Sequence, residues 1–151
     1  MWNFKRSIVL SIAVCFIISV VLAFCTFALP GMLSWYFGKA QAIEVPVLLK
    51  TAVLTCFYIS LPFAFIALFS LIKMLFAINR EEIFINANIK RLRTISWCCF
   101  AVAFITIVGG WFYYPLAIIA IAAGFMGLIL RIVKNVMYSA KMLREENDLT
   151  I

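Results

Sequence analysis

Charged side chains cut this chain into a few long apolar intervals. Between Arg6 and Lys39 there is no charge, and Ser7 to Leu29 is about 23 residues of nearly continuous Ile, Val, Leu, Phe and Ala, meeting the roughly 20 that a helix needs to cross about 30 Å of hydrocarbon. Thr51 to Ile72, between Lys50 and Lys73, is a second such run. The third, Thr94 to Leu130, would be about 55 Å long as one helix, too long for one crossing and sufficient for two. Gly109, Gly110 and Pro115 mark the break within it, because glycine and proline punctuate helices. The pattern predicts an all-α, polytopic integral membrane protein: one membrane domain over 1–151, with four transmembrane helices in a bundle. The spans fall at 7–29, 47–72, 94–111 and 115–133, with a cytoplasmic loop at 73–93 and a cytoplasmic tail at 134–151. The first interval exceeds the 7–15 apolar residues of a signal peptide. Within it, Leu22-Ala23-Phe24-Cys25 puts Phe24 where a lipoprotein cleavage site needs a small side chain, so the segment is expected to be retained.

Composition removes the alternatives. Hydrophobic residues are 67% of the chain and charged residues 13%, against roughly 45–50% and about 25% in soluble proteins. A chain of 151 residues cannot bury that much apolar surface in its own core, and disorder requires the opposite composition. The 13 basic residues are distributed unequally. Eleven lie in the N-terminal flank, the 73–93 loop and the tail beyond 130, while Lys39 and Lys50 alone lie in the other flanks. Because Lys and Arg favour the cytoplasmic side, both termini are expected there, with the fourth helix extended into the cytoplasm. Trp35, Tyr36, Trp111, Tyr113 and Tyr114 then fall at the outer interface and Trp2, Trp97 and Tyr138 at the inner one, where amphipathic rings belong.

Ion and proton pathways normally carry an ionisable residue inside a span. Here the six carboxylates, Glu44, Glu81, Glu82, Glu145, Glu146 and Asp148, all lie outside the spans, and there is no histidine. The spans hold mainly small hydroxyls, with Tyr58 the exception. The five cysteines (Cys15, Cys25, Cys56, Cys98 and Cys99) sit in spans without a CxxC pair, so they read as small hydrophobes rather than metal or redox groups. No metal, no cofactor, no structural disulfide and no enzymatic activity are expected. Two stripes of small residues, Ser7–Ser11–Cys15–Ser19–Ala23 and Ala117–Ala120–Gly124–Gly127, suit close helix approach, within one bundle or between copies of a homo-oligomer. Pro62 is expected to kink the second span.

The varied chemistry lies on the cytoplasmic side. Arg131 to Asn147 continues the fourth helix with an apolar stripe at Ile132, Val136, Ala140 and Leu143, with Lys134, Lys141 and Glu145 opposite. Such a stripe needs something to bury it. The tail's acids oppose the helix dipole unless cations relieve them, and the loop carrying Lys90, Arg91 and Arg93 is on the same side. Glu145 and Asp148 are therefore expected to meet Arg91 or Arg93, a contact worth under about 1 kcal/mol at a surface. The candidate partner-binding set is Phe84, Asn88, Arg91, Arg93, Glu145, Glu146, Asn147, Asp148 and Leu149, with Phe84 and Leu149 as apolar anchors.

The string Ile83-Phe84…Asn88…Leu92-Arg93-x-Ile95-Ser96 and the ending Glu145-Glu146-Asn147-Asp148-Leu149-Thr150-Ile151 resemble an uncharacterised family of small bacterial four-helix membrane proteins, a domain of unknown function sometimes called YoaS-like. The resemblance covers nearly the whole chain, and the tail is its most specific part. Ile85 departs from the hydroxyl residue that the resemblance places after the phenylalanine. It implies four spans in the bacterial cytoplasmic membrane, no established activity, and genes neighbouring a small helix-turn-helix transcription regulator. Two functions compete. One is a regulatory anchor or sensor whose cytoplasmic face binds a protein, such as that regulator, without itself touching nucleic acid. The alternative is a binding, transport or immunity factor for a hydrophobic molecule in the membrane, supported by the aromatic outer surface. An enzyme acting on lipid would lack any nucleophile–base pair.

Overall fold

The computed structural model describes residues 4–39, 47–79 and 86–149. They form four helices: α1 (Phe4–Lys39), α2 (Val47–Asn79), α3 (Asn86–Gly110) and α4 (Pro115–Leu149). Among the described residues there is no strand. Each helix is long and apolar enough to cross a membrane, and the chain is a multi-pass membrane protein by that measure. The helices overrun the apolar intervals. α1 continues through Pro30 and Gly31, α2 reaches Asn79, and α3 starts at Asn86, well inside the segment 73–93 that reads as loop. Loss of apolar character marks where hydrocarbon ends, not where hydrogen bonding ends, and Lys, Arg and Leu are good helix formers on either side.

Within the bundle, each helix packs against its neighbours in the chain: α1 on α2, α2 on α3, and α3 on α4. No other pair comes into close backbone approach among the described residues. α3 and α4 make the most intimate pair. Residues that would be bulky elsewhere are small here: a Cβ on Gly127 would lie 3.2 Å from the Phe100 ring and 3.3 Å from Cys99 Cβ, and one on Gly124 would lie 3.8 Å from Ala103 Cβ. Ala120 is buried in the same seam. The small-residue stripe of the fourth span is thus used inside the chain. Small side chains let transmembrane helices approach until van der Waals contact and occasional hydrogen bonds hold them, lipid offering no hydrophobic drive. One such bond is buried here: Ser96 Oγ donates to the Gly127 carbonyl at 2.8 Å.

The hairpin is closed at the other end by the paired glycines. A Cβ on Gly109 would run into Cys56 Sγ and lie 2.9 Å from Leu116 Cδ1, while one on Gly110 would lie 3.0 Å from the Ala117 backbone nitrogen. The Gly109 carbonyl accepts from both Phe112 and Tyr113 N–H at 3.0 Å, and Leu116 N–H reaches Tyr113 O at 2.9 Å. These bonds carry the chain directly from α3 into α4.

Two prolines lie within helices without ending them, Pro30 in α1 and Pro62 in α2. Pro30 has no N–H to give to the Thr26 carbonyl four residues back. Tyr58 of α2 supplies the missing donor, its hydroxyl meeting Thr26 O at 3.1 Å. A helix defect in α1 therefore becomes a tie to α2. Other span hydroxyls turn back on their own helix: Ser11 to Ser7 O, Ser19 to Cys15 O, Thr26 to Leu22 O and Thr106 to Val102 O. In the first-span stripe, Cys15 is buried.

Candidate functional site: the cationic end of the bundle

The antiparallel hairpins bring together residues far apart in sequence. Arg91 on α3 donates from Nη1 to the Lys73 carbonyl of α2 at 2.9 Å and to Asn88 Oδ1 at 3.0 Å. Asn88 is 0% exposed. Lys73 folds back so that its Nζ lies 4.2 Å from the centre of the Phe69 ring. Arg91 thus staples the start of α3 to the last turns of α2, and Asn88 is the buried acceptor that aims it. Asn88 is withdrawn from the surface, while Arg91 is half-buried and committed to these two bonds.

The loop side and the tail do meet, though through different residues from those the charges suggest. Lys141 Nζ donates to Asn86 Oδ1 at 2.9 Å and pairs with Glu145 Oε1 at 2.8 Å. The expected meeting of Glu145 with Arg91 or Arg93 is replaced by this pairing. Glu145 finds a cation one turn away on its own helix, while the Arg91 guanidinium is already committed to α2. The Lys141–Glu145 spacing of four was the sequence signal for this pair; nothing comparable pointed to Asn86. Glu146, Asn147 and Leu149 are exposed on the last turn of α4. Phe84 and the side chain of Asp148 lie outside the described residues.

Beyond Arg131, α4 is turned in an unexpected sense. Its partly covered line is Leu130, Lys134, Met137 and Lys141, at helical spacing, and the Lys141–Asn86 bond shows that this line faces α3. Lys134 and Lys141 are therefore on the inward side while Arg131 and Arg144 are exposed, and of the expected apolar stripe Ala140 is partly covered and the other three residues point outward. Ile132, Val136 and Leu143 are 62%, 62% and 66% exposed. At 1.5 Å per residue, Leu143 lies about 18 Å past Arg131 along the axis, beyond the last uncharged stretch of the hairpin.

Among the described residues, two concavities stand out. At the cationic end, Arg93, Ser96, Trp97, Arg131 and Lys134 line a pocket of about 260 Å³ between α3 and α4. Towards the turn, a groove of about 430 Å³ runs between α2 and α3, walled by Thr55, Cys56, Ile59, Phe104, Ile105 and Gly109 and almost wholly apolar. The aromatics of the turn, Trp111, Phe112 and Tyr114, are exposed beside it. Among the described residues no three His, Cys, Asp or Glu side chains gather as metal ligands.

A protein whose apolar helices form such a bundle belongs to the class of multi-pass membrane proteins. Residues 6–151 match the family described as "Protein of unknown function (DUF2975)", and the chain belongs to that family. No curated protein and no solved structure matches it.

Proposed function

We propose that this protein is a non-enzymatic membrane anchor, with both termini in the cytoplasm, whose α4 continuation docks a soluble protein. The observation that carries the reading is the outward apolar edge of α4 at Ile132, Val136 and Leu143, on a stretch whose two lysines, Lys134 and Lys141, lie on the partly covered side. An apolar stripe that a helix keeps outside its own fold is stable when a partner covers it, and helix-in-groove recognition uses this spacing of anchors. The excess of Lys and Arg at the same end supports its cytoplasmic placement. The first partner to test is a small helix-turn-helix regulator, which the family resemblance implies.

The experiment compares binding of such a regulator, where one is encoded beside the chain, by the intact protein in mild detergent and by the pair Val136→Asp, Leu143→Asp. Both positions are exposed, so insertion and melting temperature should be unchanged while affinity falls at least about tenfold, or about 1.4 kcal/mol. Equal binding would remove the stripe from the account. If the intact chain binds no protein, the apolar groove between α2 and α3 favours the second reading, a site for a hydrophobic molecule in the membrane.

A further inference from the structure

The pocket between α3 and α4 has a composition unlike the rest of the bundle. Arg93 and Arg131 are the charges that bound the uncharged run Thr94–Leu130 on its two sides, and the hairpin folds them back to one place. The buried Ser96–Gly127 hydrogen bond sets the register. Arg93 lies three residues before Ser96 and Arg131 four after Gly127, so in antiparallel helices both fall about one turn beyond that bond, on the same side. Lys134 adds a third cation one turn further along α4. Trp97, 59% exposed, closes the side towards the apolar run, with its indole edge-on to Phe100 at 6.5 Å.

Three cations around one concavity repel one another, and Arg131 and Lys134 are also like charges at neighbouring helix positions. Among the described residues no carboxylate lines the pocket. Among the described residues none of the three has an ion-pair or hydrogen-bond partner: Glu145 pairs with Lys141, and Glu145 is about 16 Å from Lys134 along α4. The repulsion is therefore left for an anion to relieve. The pocket's location says which kind. It sits where the uncharged stretch of both helices ends, with a tryptophan at its apolar lip, the depth at which phospholipid phosphates and interfacial indoles lie. Its volume of about 260 Å³ accommodates a phosphodiester and part of its glycerol but no folded peptide.

We propose that the pocket formed by Arg93, Trp97, Arg131 and Lys134 is a binding site for the headgroup phosphate of an anionic phospholipid. The guanidinium groups of Arg93 and Arg131 grip the phosphate oxygens, as planar donors suit. Lys134 adds charge, and Trp97 packs against the glycerol and the start of an acyl chain. The site is separate from the outward edge of α4 and does not depend on a protein partner.

The test uses the full chain, purified in non-ionic detergent, with phosphatidylglycerol, phosphatidylcholine or inorganic phosphate added. Lipid retention is read by native mass spectrometry and stability by thermal melting. Phosphatidylglycerol should be retained and raise the melting temperature by several degrees, while phosphatidylcholine and millimolar inorganic phosphate should not. Arg93→Gln, Arg131→Gln and Lys134→Gln should each weaken phosphatidylglycerol retention about fivefold, in line with the worth of one cation near an anionic surface. Arg144→Gln, which removes a cation away from the pocket, should leave it unchanged. Because the three cations have no partner among the described residues, their removal should not unfold the protein, and melting without lipid verifies this. Equal retention of phosphatidylcholine, or equal weakening by Arg144→Gln, would overturn the site. Full stabilisation by inorganic phosphate alone would overturn its assignment to a lipid.

Discussion

Replacing Gly127 with leucine should part α4 from α3. A bare Cβ at this position already presses on Phe100 and Cys99 at 3.2–3.3 Å, tighter than ordinary contact, and the leucine branches must enter space those side chains fill. Overpacking of this kind costs about 1–3 kcal/mol. Forcing the helices apart also stretches the buried Ser96–Gly127 bond, worth about 1 kcal/mol more. Two glycines serve as controls. Gly124→Ala adds a methyl at 3.8 Å from Ala103, a normal distance, and Gly31→Ala meets nothing within 4 Å. The first should be near neutral, and the second should gain up to about 1 kcal/mol of helix propensity. Unfolding in mixed micelles of rising dodecyl sulfate fraction, followed by tryptophan fluorescence, ranks all three. A Gly127→Leu midpoint equal to that of Gly31→Ala would show that α3 and α4 are not packed as described.

The second large effect belongs to the staple at the start of α3. Arg91→Met leaves the wholly buried Asn88 oxygen without its guanidinium donor and removes the bond to the Lys73 carbonyl. Asn88→Leu removes the acceptor that aims the guanidinium. Hydrogen bonds to charged groups contribute about 1.5–3 kcal/mol. Each single change should therefore lower stability by about 1.5–3 kcal/mol. The double change should cost less than the two together, because the groups act on one another. Arg93→Met, on an exposed residue two positions on, should leave stability unaltered. If Arg91→Met and Arg93→Met melt alike, the staple contributes nothing.

How far the sequence alone reaches differs from one feature to the next, and the differences have physical causes. Four helices and the break at Gly109, Gly110 and Pro115 were legible, because lipid imposes a hard length and charge constraint on every span. The small-residue line of the fourth span was legible as a packing face, and α3 proved to be its partner. Pro30 was not legible as a helix-interior residue. Its missing donor is tolerated because Tyr58 meets the freed carbonyl of Thr26, thirty-two positions before it. Asn88 and Arg91 read as surface residues, since polar groups ahead of a span normally face water. The burial of Asn88 and the anchoring of Arg91 depend on the end of α2 lying beside them, which no local pattern encodes. The stripe of α4 was visible as amphipathic, but amphipathicity does not say which edge faces the bundle. The Lys141–Asn86 bond turns the Lys134–Lys141 line inward and leaves Ile132, Val136 and Leu143 outside.

That inversion is the central claim, and a photoactivatable amino acid at position 143 tests it most directly. In living cells, irradiation should link position 143 to a soluble cytoplasmic protein. The adduct should disappear when Val136→Asp is introduced, and none should form from a probe at Trp111, 92% exposed at the opposite end. Adducts from position 143 to lipid alone or to α3 of the same chain, or a soluble adduct from position 111 in its place, would contradict an outward-facing cytoplasmic docking helix.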